Sequence, residues 1–253
     1  MSRSLPHTDR LGVPGQRDME GRKPVTPENE PLADARDMFA VHTMLRRELG
    51  TTPALIRKVG AGDQRRVEVV ARHVDLMSQL LEQHHSGEDK HIWPRLEARV
   101  PEAIAPIIDV MERQHEAIHR GAERVNEALR QWRADSSAVS RDALADAVDA
   151  LLRVLREHLA LEEERVVPLI ERYVTAAEYR LVAGEGGEET SPELLPVIFG
   201  MLMYEGAPEV IDSIIAEMPP QAQTGIRELA SQAYASYAEK VHGTSTPTRT
   251  TGS

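Results

Sequence analysis

The chain of 253 residues contains no cysteine, which removes disulfide frameworks, thiolate zinc sites, iron–sulfur clusters and cysteine nucleophiles together. A cysteine-free chain fits a reducing cytoplasm. Basic residues are in deficit, 30 Lys and Arg against 41 Asp and Glu, for a formal net charge of −11. That balance argues against a phosphate-backbone partner, which needs Lys and Arg gathered on one face. No stretch approaches the ~20 apolar residues of a membrane span. The polar, proline-punctuated start lacks the apolar core of a secretory signal. The expectation is a soluble, cytoplasmic protein with no nucleic-acid or membrane partner. Aromatics are also scarce, at 4%, and the remaining Ala, Leu, Glu and Arg favour helices.

The length allows one large domain, or a domain of roughly 150 residues with an appendage. Residues 1–32 carry Pro6, Pro14, Pro24, Pro27 and Pro31 among scattered charges, which reads as a mobile tail. Residues 243–253 read as another. Between them apolar positions recur every three or four residues, the helical period. A first helix is expected from Asp34 to Leu49, through Met38, Val41 and Leu45, ended by Gly50 and Pro53, with a short helix from Pro53 to Val59. Asp63 is a good N-cap for a second, whose seam runs Val67, Val70, Val74, Met77, Leu81, His84, Glu88, Ile92. A third spans Pro101–Arg133, with Ile104, Ile108, Met111, His115, Ile118, Ala122, Val125, Leu129 and Trp132 in line. Ser140 is the expected cap of the fourth, with seam Leu144, Val148, Leu151, Leu155, His158, Glu162, Val166, Leu169. Four long amphipathic helices with short connections imply an all-α, antiparallel four-helix bundle over residues 33–174.

A smaller C-terminal helical unit is expected over residues 175–242. Thr175 and Glu178 have capping-box spacing, and Gly184 to Gly187 should break the chain. Ser191 and Pro192 should open the next helix as N-cap and N1, with two more near Pro208–Met218 and Pro220–His242. No internal repeat is evident. Met201, Met203 and Met218 with Phe199 and Tyr204 suit core packing or a homodimer face better than a cofactor box.

The seams carry chemistry. Each bundle helix has a histidine on its core-facing line, namely His42, His84, His115 and His158, and three have a second polar residue one turn on: Glu88, His119 and Glu162. Positions i and i+4 share a helix face about 6 Å apart, so each pair can reach one centre. A buried, uncompensated carboxylate costs several kcal/mol. Taken singly, a seam histidine is ordinarily a hydrogen-bonded core residue; two carboxylates and five imidazoles converging from four helices call for metal ions. Seven donors exceed one tetrahedral zinc site and suit two six-coordinate ions. Manganese or zinc would accept the same donors as iron. Glu162 lies about 40° around the helix from His158 and Glu163 about 140°, so Glu163 would need a local distortion such as a π-bulge. His85, His91 and His73 are expected at helix interfaces or exposed, with His7 in the tail and His242 at the frayed last helix.

One histidine, then His84-x3-Glu88, His115-x3-His119 and His158 with an acid four or five residues on resembles the hemerythrin-like (HHE) family, over about residues 34–173. The whole chain resembles the two-part hemerythrin-like proteins common in actinobacteria. Classical hemerythrins have HxxxxD at the last pair; Glu stands at both +4 and +5 here, and HHE relatives commonly use HxxxE. The resemblance implies two iron ions bridged by Glu88, Glu162 and an oxo or hydroxo group, with the five histidines terminal: His115, His119 and His84 on one iron, His42 and His158 on the other. In hemerythrins O2 binds end-on at an open position and is reduced to hydroperoxide.

The implied function is a non-haem di-iron oxidoreductase, peroxidase- or oxidase-like, acting on O2, peroxide or nitric oxide with a separate electron donor. One alternative is O2 binding or storage without turnover. Another is an oxygen, redox or iron sensor signalling through the C-terminal unit, and that unit could instead lid an organic substrate. Two carboxylates, against the four of oxygenase-type bundles, suit O2 binding or modest redox chemistry. Met38, Leu45, Leu81, Met111, Ile118 and Leu155 lie one turn from these positions and would keep the surroundings dry.

Overall fold

The computed structural model describes residues 30–249, with the side chains of 183–189 excepted. The expected N-terminal tail lies outside the described residues except for its last three, and so does the end of the C-terminal tail. Eleven helices account for the described fold: α1 (Arg36–Arg57), α2 (Gln64–His91), α3 (Trp93–Arg99), α4 (Pro101–Asp135), α5 (Ala138–Arg165), α6 (Val167–Tyr173), α7 (Ala176–Glu189), α8 (Leu195–Glu205), α9 (Pro208–Glu217), α10 (Pro220–Gln223) and α11 (Ile226–His242). The fold is all-α, and the only extended pairing among the described residues is an isolated bridge between Leu32 and Thr175.

The four long helices bury the lines their sequences mark out. Along α2, Val67, Val70, Val74, Met77 and Leu81 are buried, and along α5, Leu144, Val148, Leu151 and Leu155. α1 packs against α2 and α5, and α4 against the same two, so the four surround one core. At about 25 cal/mol per Å2 of apolar surface removed from water, such seams dominate the stability of the bundle. Asp63 caps α2 by accepting from the Arg66 N–H at 3.0 Å.

Several boundaries differ from the sequence expectation. α1 runs through Gly50 and Pro53 to Arg57. Proline removes one helical hydrogen bond, and here the Thr52 hydroxyl donates to the Glu48 carbonyl at 2.7 Å while Pro53 itself is buried. The cap of α5 is Ser137, whose hydroxyl accepts from the Ser140 N–H, placing Ser140 inside the first turn. α7 begins at the expected capping box but continues through Gly184–Gly187 to Glu189. α8 begins at Leu195, after a turn over residues 192–194, instead of at Pro192. The last expected helix is split into α10 and α11, with Gly225 at φ +78° between them.

The chain also breaks twice where one long helix was expected. Pro94 and Pro168 sit in the first turns of α3 and α6, ending the hydrogen-bond ladders of α2 and α5 one turn after Glu88 and Glu162. Ile92 and Val166 at these breaks are fully buried. With Trp93, Leu96, Val167 and Ile170 they pack on Ile104 and Met111, closing this end of the bundle with its own apolar cluster.

The C-terminal helices share the bundle core: Met201, Tyr234, Ala238 and Val241 join the same apolar cluster as Leu45, Val70 and Met77. α8 and α11 cross at Gly200, where an added Cβ would sit 2.2 Å from the Ala230 carbonyl oxygen and 2.6 Å from Tyr234 Cβ. A buried polar cluster fastens them to α1. Glu48 Oε1 accepts from Arg47 Nη2 at 2.7 Å and from the Tyr234 hydroxyl at 2.7 Å, and Oε2 pairs with His242 Nε2 at 3.0 Å. Burial opposes ionisation of Glu48 but is outweighed by the His242 hydrogen bond, His73, Arg47 and Tyr234, which hold its pKa at about 2. His242 is therefore docked, where a frayed helix end was expected. Residues 243–249 continue over α8, with the Tyr204 hydroxyl donating to the Pro247 carbonyl at 2.8 Å.

Candidate metal centre

Six of the seven expected residues meet in the bundle interior: His42 from α1, His84 and Glu88 from α2, His115 from α4, His158 and Glu162 from α5. They form two groups, in each of which the candidate donor atoms lie within 4.8 Å of one another. One is His42, His84, Glu88 and Glu162; the other is His85, Glu88, His115 and His158. Glu88 belongs to both. The division differs from the one the resemblance implied, since His84 stands with His42, and His158 with His115.

The seventh member is His85 instead of His119. His119 is 58% exposed, with its ring nitrogens 3.6 Å from Glu82 and 3.5 Å from Glu123. The physical reason is the register of α4, where the core-facing step from His115 runs three residues to the buried Ile118. One residue further, His119 has turned to solvent. On α2 the neighbours His84 and His85 diverge by about 100°, and each serves one group. The His84 ring lies 5.0 Å from that of His42, whereas His85 lies 4.5 Å from His115 and 4.9 Å from His158. Glu88, four residues after one and three after the other, is placed between them.

These side chains fit a metal ion. Both carboxylate oxygens of Glu88 and of Glu162, and the Nε2 atoms of His85, His115 and His158, are buried without a hydrogen-bond partner among the described residues. Unsatisfied buried polar groups cost about 1–3 kcal/mol each, so seven in one cavity call for an occupant. His42 Nε2 and His84 Nε2 face each other at 3.0 Å, and Glu88 Oε1 lies 3.2 Å from His84 Nε2. Burial pushes the Glu88 carboxyl well above its ordinary range, reinforced by the charge of Glu162, and raises Glu162 as well. Burial also lowers His84 and His85 well below the ordinary imidazole range, and takes His158 down to about 3. Neutral imidazoles and strained carboxylates are what a cation binds.

Outer partners orient the rings. His42 Nδ1 donates to Glu163 Oε1 at 2.9 Å, and Arg46 donates to the same oxygen at 2.7 Å. His115 Nδ1 donates to Asp89 at 2.8 Å, and His158 Nδ1 to Gln114 at 3.3 Å. Each bond leaves Nε2 unprotonated toward the cluster. Glu162 is thus inside the cluster and Glu163 outside it, with an ordinary helix between them and no π-bulge among the described residues. A short repeat in spacing underlies this arrangement. His84, Glu88, Asp89, Ile92 and Pro94 correspond in spacing to His158, Glu162, Glu163, Val166 and Pro168. The acid after each cluster glutamate holds a histidine of the other half.

A cleft of about 540 Å3 reaches the cluster from α2 and α4, lined among others by His85, His115, Trp93, Leu81 and Ile118, with Glu82 and His119. On α7, Tyr179 donates to Asp37 at 2.8 Å. Its burial, with the charge of Asp37, keeps that hydroxyl protonated well above its ordinary range.

Among the described residues, no helix is long and apolar enough to cross a membrane. No solved structure matches the chain. Uncharacterized proteins of Mycobacterium tuberculosis and Mycobacterium bovis are each 28% identical to it over 166 residues, 65% of this chain and 64% of theirs. The chain thus spans somewhat less than two thirds of these relatives. Residues 34–170 match the family model of the hemerythrin HHE cation-binding domain. That match takes in α1 to α5 and most of α6, every helix that contributes to the histidine and glutamate cluster, and the chain belongs to the hemerythrin HHE cation-binding family.

Proposed function

We propose that the cluster holds two iron ions and that the protein is an oxidoreductase acting on a small oxidant, such as O2, peroxide or nitric oxide. The observation that carries this reading is the set of five imidazoles and two carboxylates gathered in one cavity with seven buried acceptor atoms unpartnered. His42, His84, Glu88 and Glu162 would hold one ion, and His85, His115 and His158 with Glu88 the other. Bound iron would supply electrons to the oxidant one or two at a time.

The remaining work belongs to the chain. Glu163, Asp89 and Gln114 hold protons on the Nδ1 atoms of His42, His115 and His158, fixing each ring with its lone pair inward. Leu81, Ile118 and Trp93 line part of the approach with apolar surface. At the cleft, His119 stands beside Glu82 and Glu123.

The test is metal analysis of the purified chain, followed by anaerobic reduction and addition of each oxidant with a chemical reductant. About two irons per chain and catalytic consumption of one oxidant is the expected result. A long-lived visible band after O2, without turnover, would replace this reading with O2 storage. Absence of iron, or a single zinc, would remove it.

A further inference from the structure

A second constellation of metal-binding groups lies outside the cluster described above. Glu48 on α1, His73 on α2 and His242 at the end of α11 bring three donor atoms within 4.8 Å of one another. Glu48 is six residues from His42 along one helix, and His73 is eleven from His84. At 1.5 Å per residue these are axial separations of about 9 and 16 Å. The two constellations share no residue.

The geometry is that of a site with three protein ligands. Glu48 Oε2 lies 3.0 Å from His242 Nε2 and 3.8 Å from His73 Nε2, and the two imidazole rings are 5.5 Å apart at 77°. Nitrogen and oxygen donors about 2.0–2.1 Å from a tetrahedral zinc ion are roughly 3.4 Å apart, between the two observed separations. The ligands are held from behind. Glu48 Oε1 receives Arg47 and Tyr234, which leaves Oε2 turned to the histidines. His73 Nδ1 shares a hydrogen bond of 2.9 Å with the Tyr237 hydroxyl, the kind of outer contact that fixes a ligating imidazole. Arg66 donates to the Lys240 and Val241 carbonyls and so positions His242.

One observation points to a ligand independently of the clustering. His73 is fully buried, and its Nε2 has no hydrogen-bond partner although it is aimed at Glu48 and His242. A proton shared between His242 and Glu48 satisfies that pair and leaves His73 Nε2 unsatisfied. A cation satisfies all three donors.

We propose that Glu48, His73 and His242 form a mononuclear site for a divalent cation of the zinc class, which fastens the last helix to the bundle and keeps a fourth position for water. The probe is Co2+, whose visible d–d bands report four- or five-coordinate nitrogen and oxygen sites, added to the full-length chain after its iron content has been fixed and measured. Uptake of one further equivalent with those bands, displaced by Zn2+, is expected. His242→Ala should weaken that uptake by about 100-fold or more, and Tyr237→Phe by about 10–100-fold, the range for lost outer partners. Both variants should retain the iron content of the wild type, which separates this site from the first. Should either variant unfold, the wild-type band and its displacement by Zn2+ still decide the matter. No additional equivalent in the wild type, or uptake unchanged in a folded His242→Ala variant, would overturn the proposal and leave a metal-free hydrogen-bonded latch.

Discussion

Replacing Glu88 with glutamine should shift stability in opposite directions with and without metal. In the metal-free chain Glu88 is fully buried, and its carboxyl is held well above 4.5 by burial first and by the charge of Glu162 second. The unfolded chain ionises this group near 4.5. Below that pH both states carry the proton and no penalty arises. Above it, the folded state loses about 1.4 kcal/mol per pH unit until its own carboxyl ionises. The penalty at pH 7 therefore has a ceiling of about 3.5 kcal/mol. Glutamine keeps the shape and removes the charge, so the metal-free variant should be more stable than wild type at neutral pH, by up to that ceiling less the cost of burying an amide. For a chain of this size, each kcal/mol moves the melting midpoint by about 2–4 °C. The gain should fade as the pH is lowered toward 4.5. With iron bound the order should reverse, because ligand binding energy is also folding energy. Thermal unfolding of chelator-treated and iron-loaded samples between about pH 5 and 8 reads both signs. A metal-free variant that melts lower than wild type by the same margin at both ends of that range would show that Glu88 is not an uncompensated buried carboxylate.

Three further outcomes test the site and its support. His85→Ala should lower metal content while His119→Ala leaves it unchanged, read by metal analysis after equal loading; the reverse would restore the register expected from the sequence. Glu163→Ala should weaken metal affinity by about 10–100-fold with stoichiometry retained at saturation, whereas Glu162→Ala should reduce the stoichiometry, and a competition titration with a chelator separates the two. Gly200→Ala drives a methyl group into the Ala230 carbonyl and Tyr234, so α8 and α11 must separate at a cost of about 1–3 kcal/mol or more. Its signature should be a lower melting midpoint and faster proteolysis between residues 190 and 226, and unchanged values for both would contradict the packing described.

Much of the site was legible because burial and chemistry share one period. His84, Glu88, His158 and Glu162 each fall on a line of apolar residues, so the register that predicts the core also predicts the cluster. His119 follows His115 at the i+4 spacing, but the apolar line steps to Ile118, so the helix turns His119 to solvent. His85 lies at a helix interface, as expected, but a seam drawn one residue wide does not show that it joins a donor group of its own. The Glu48, His73 and His242 contacts lay beyond reach for another reason. Glu48 and His242 are 194 residues apart in sequence, and no local period relates them. Among the boundaries, Pro53 and the glycines of α7 are stop signals in the sequence, yet tertiary packing overrides a preference of about 1 kcal/mol for each glycine. Gly87 is part of that packing, since a Cβ there would lie 2.8 Å from Val182.

The matched spacing of α2–α3 and α5–α6 makes the interior an almost two-fold object, two hairpins that each give His, His and Glu and each steady a ring of the other. Among the cluster residues of that spacing one has no counterpart: where the first half has His85, the second has the buried Leu159. That departure, together with Glu162 belonging to only one group while Glu88 belongs to both, makes the two donor groups unlike. One is surrounded by three imidazoles and Glu88, the other by two imidazoles and two carboxylates. With iron in both groups, as proposed above, the more anionic surroundings would favour the more highly charged ion, and electrons leaving the pair would not be drawn from equal partners. A His85→Leu chain would remove the third imidazole, leaving His115, His158 and Glu88, so an ion held by that group should be the first lost to a chelator.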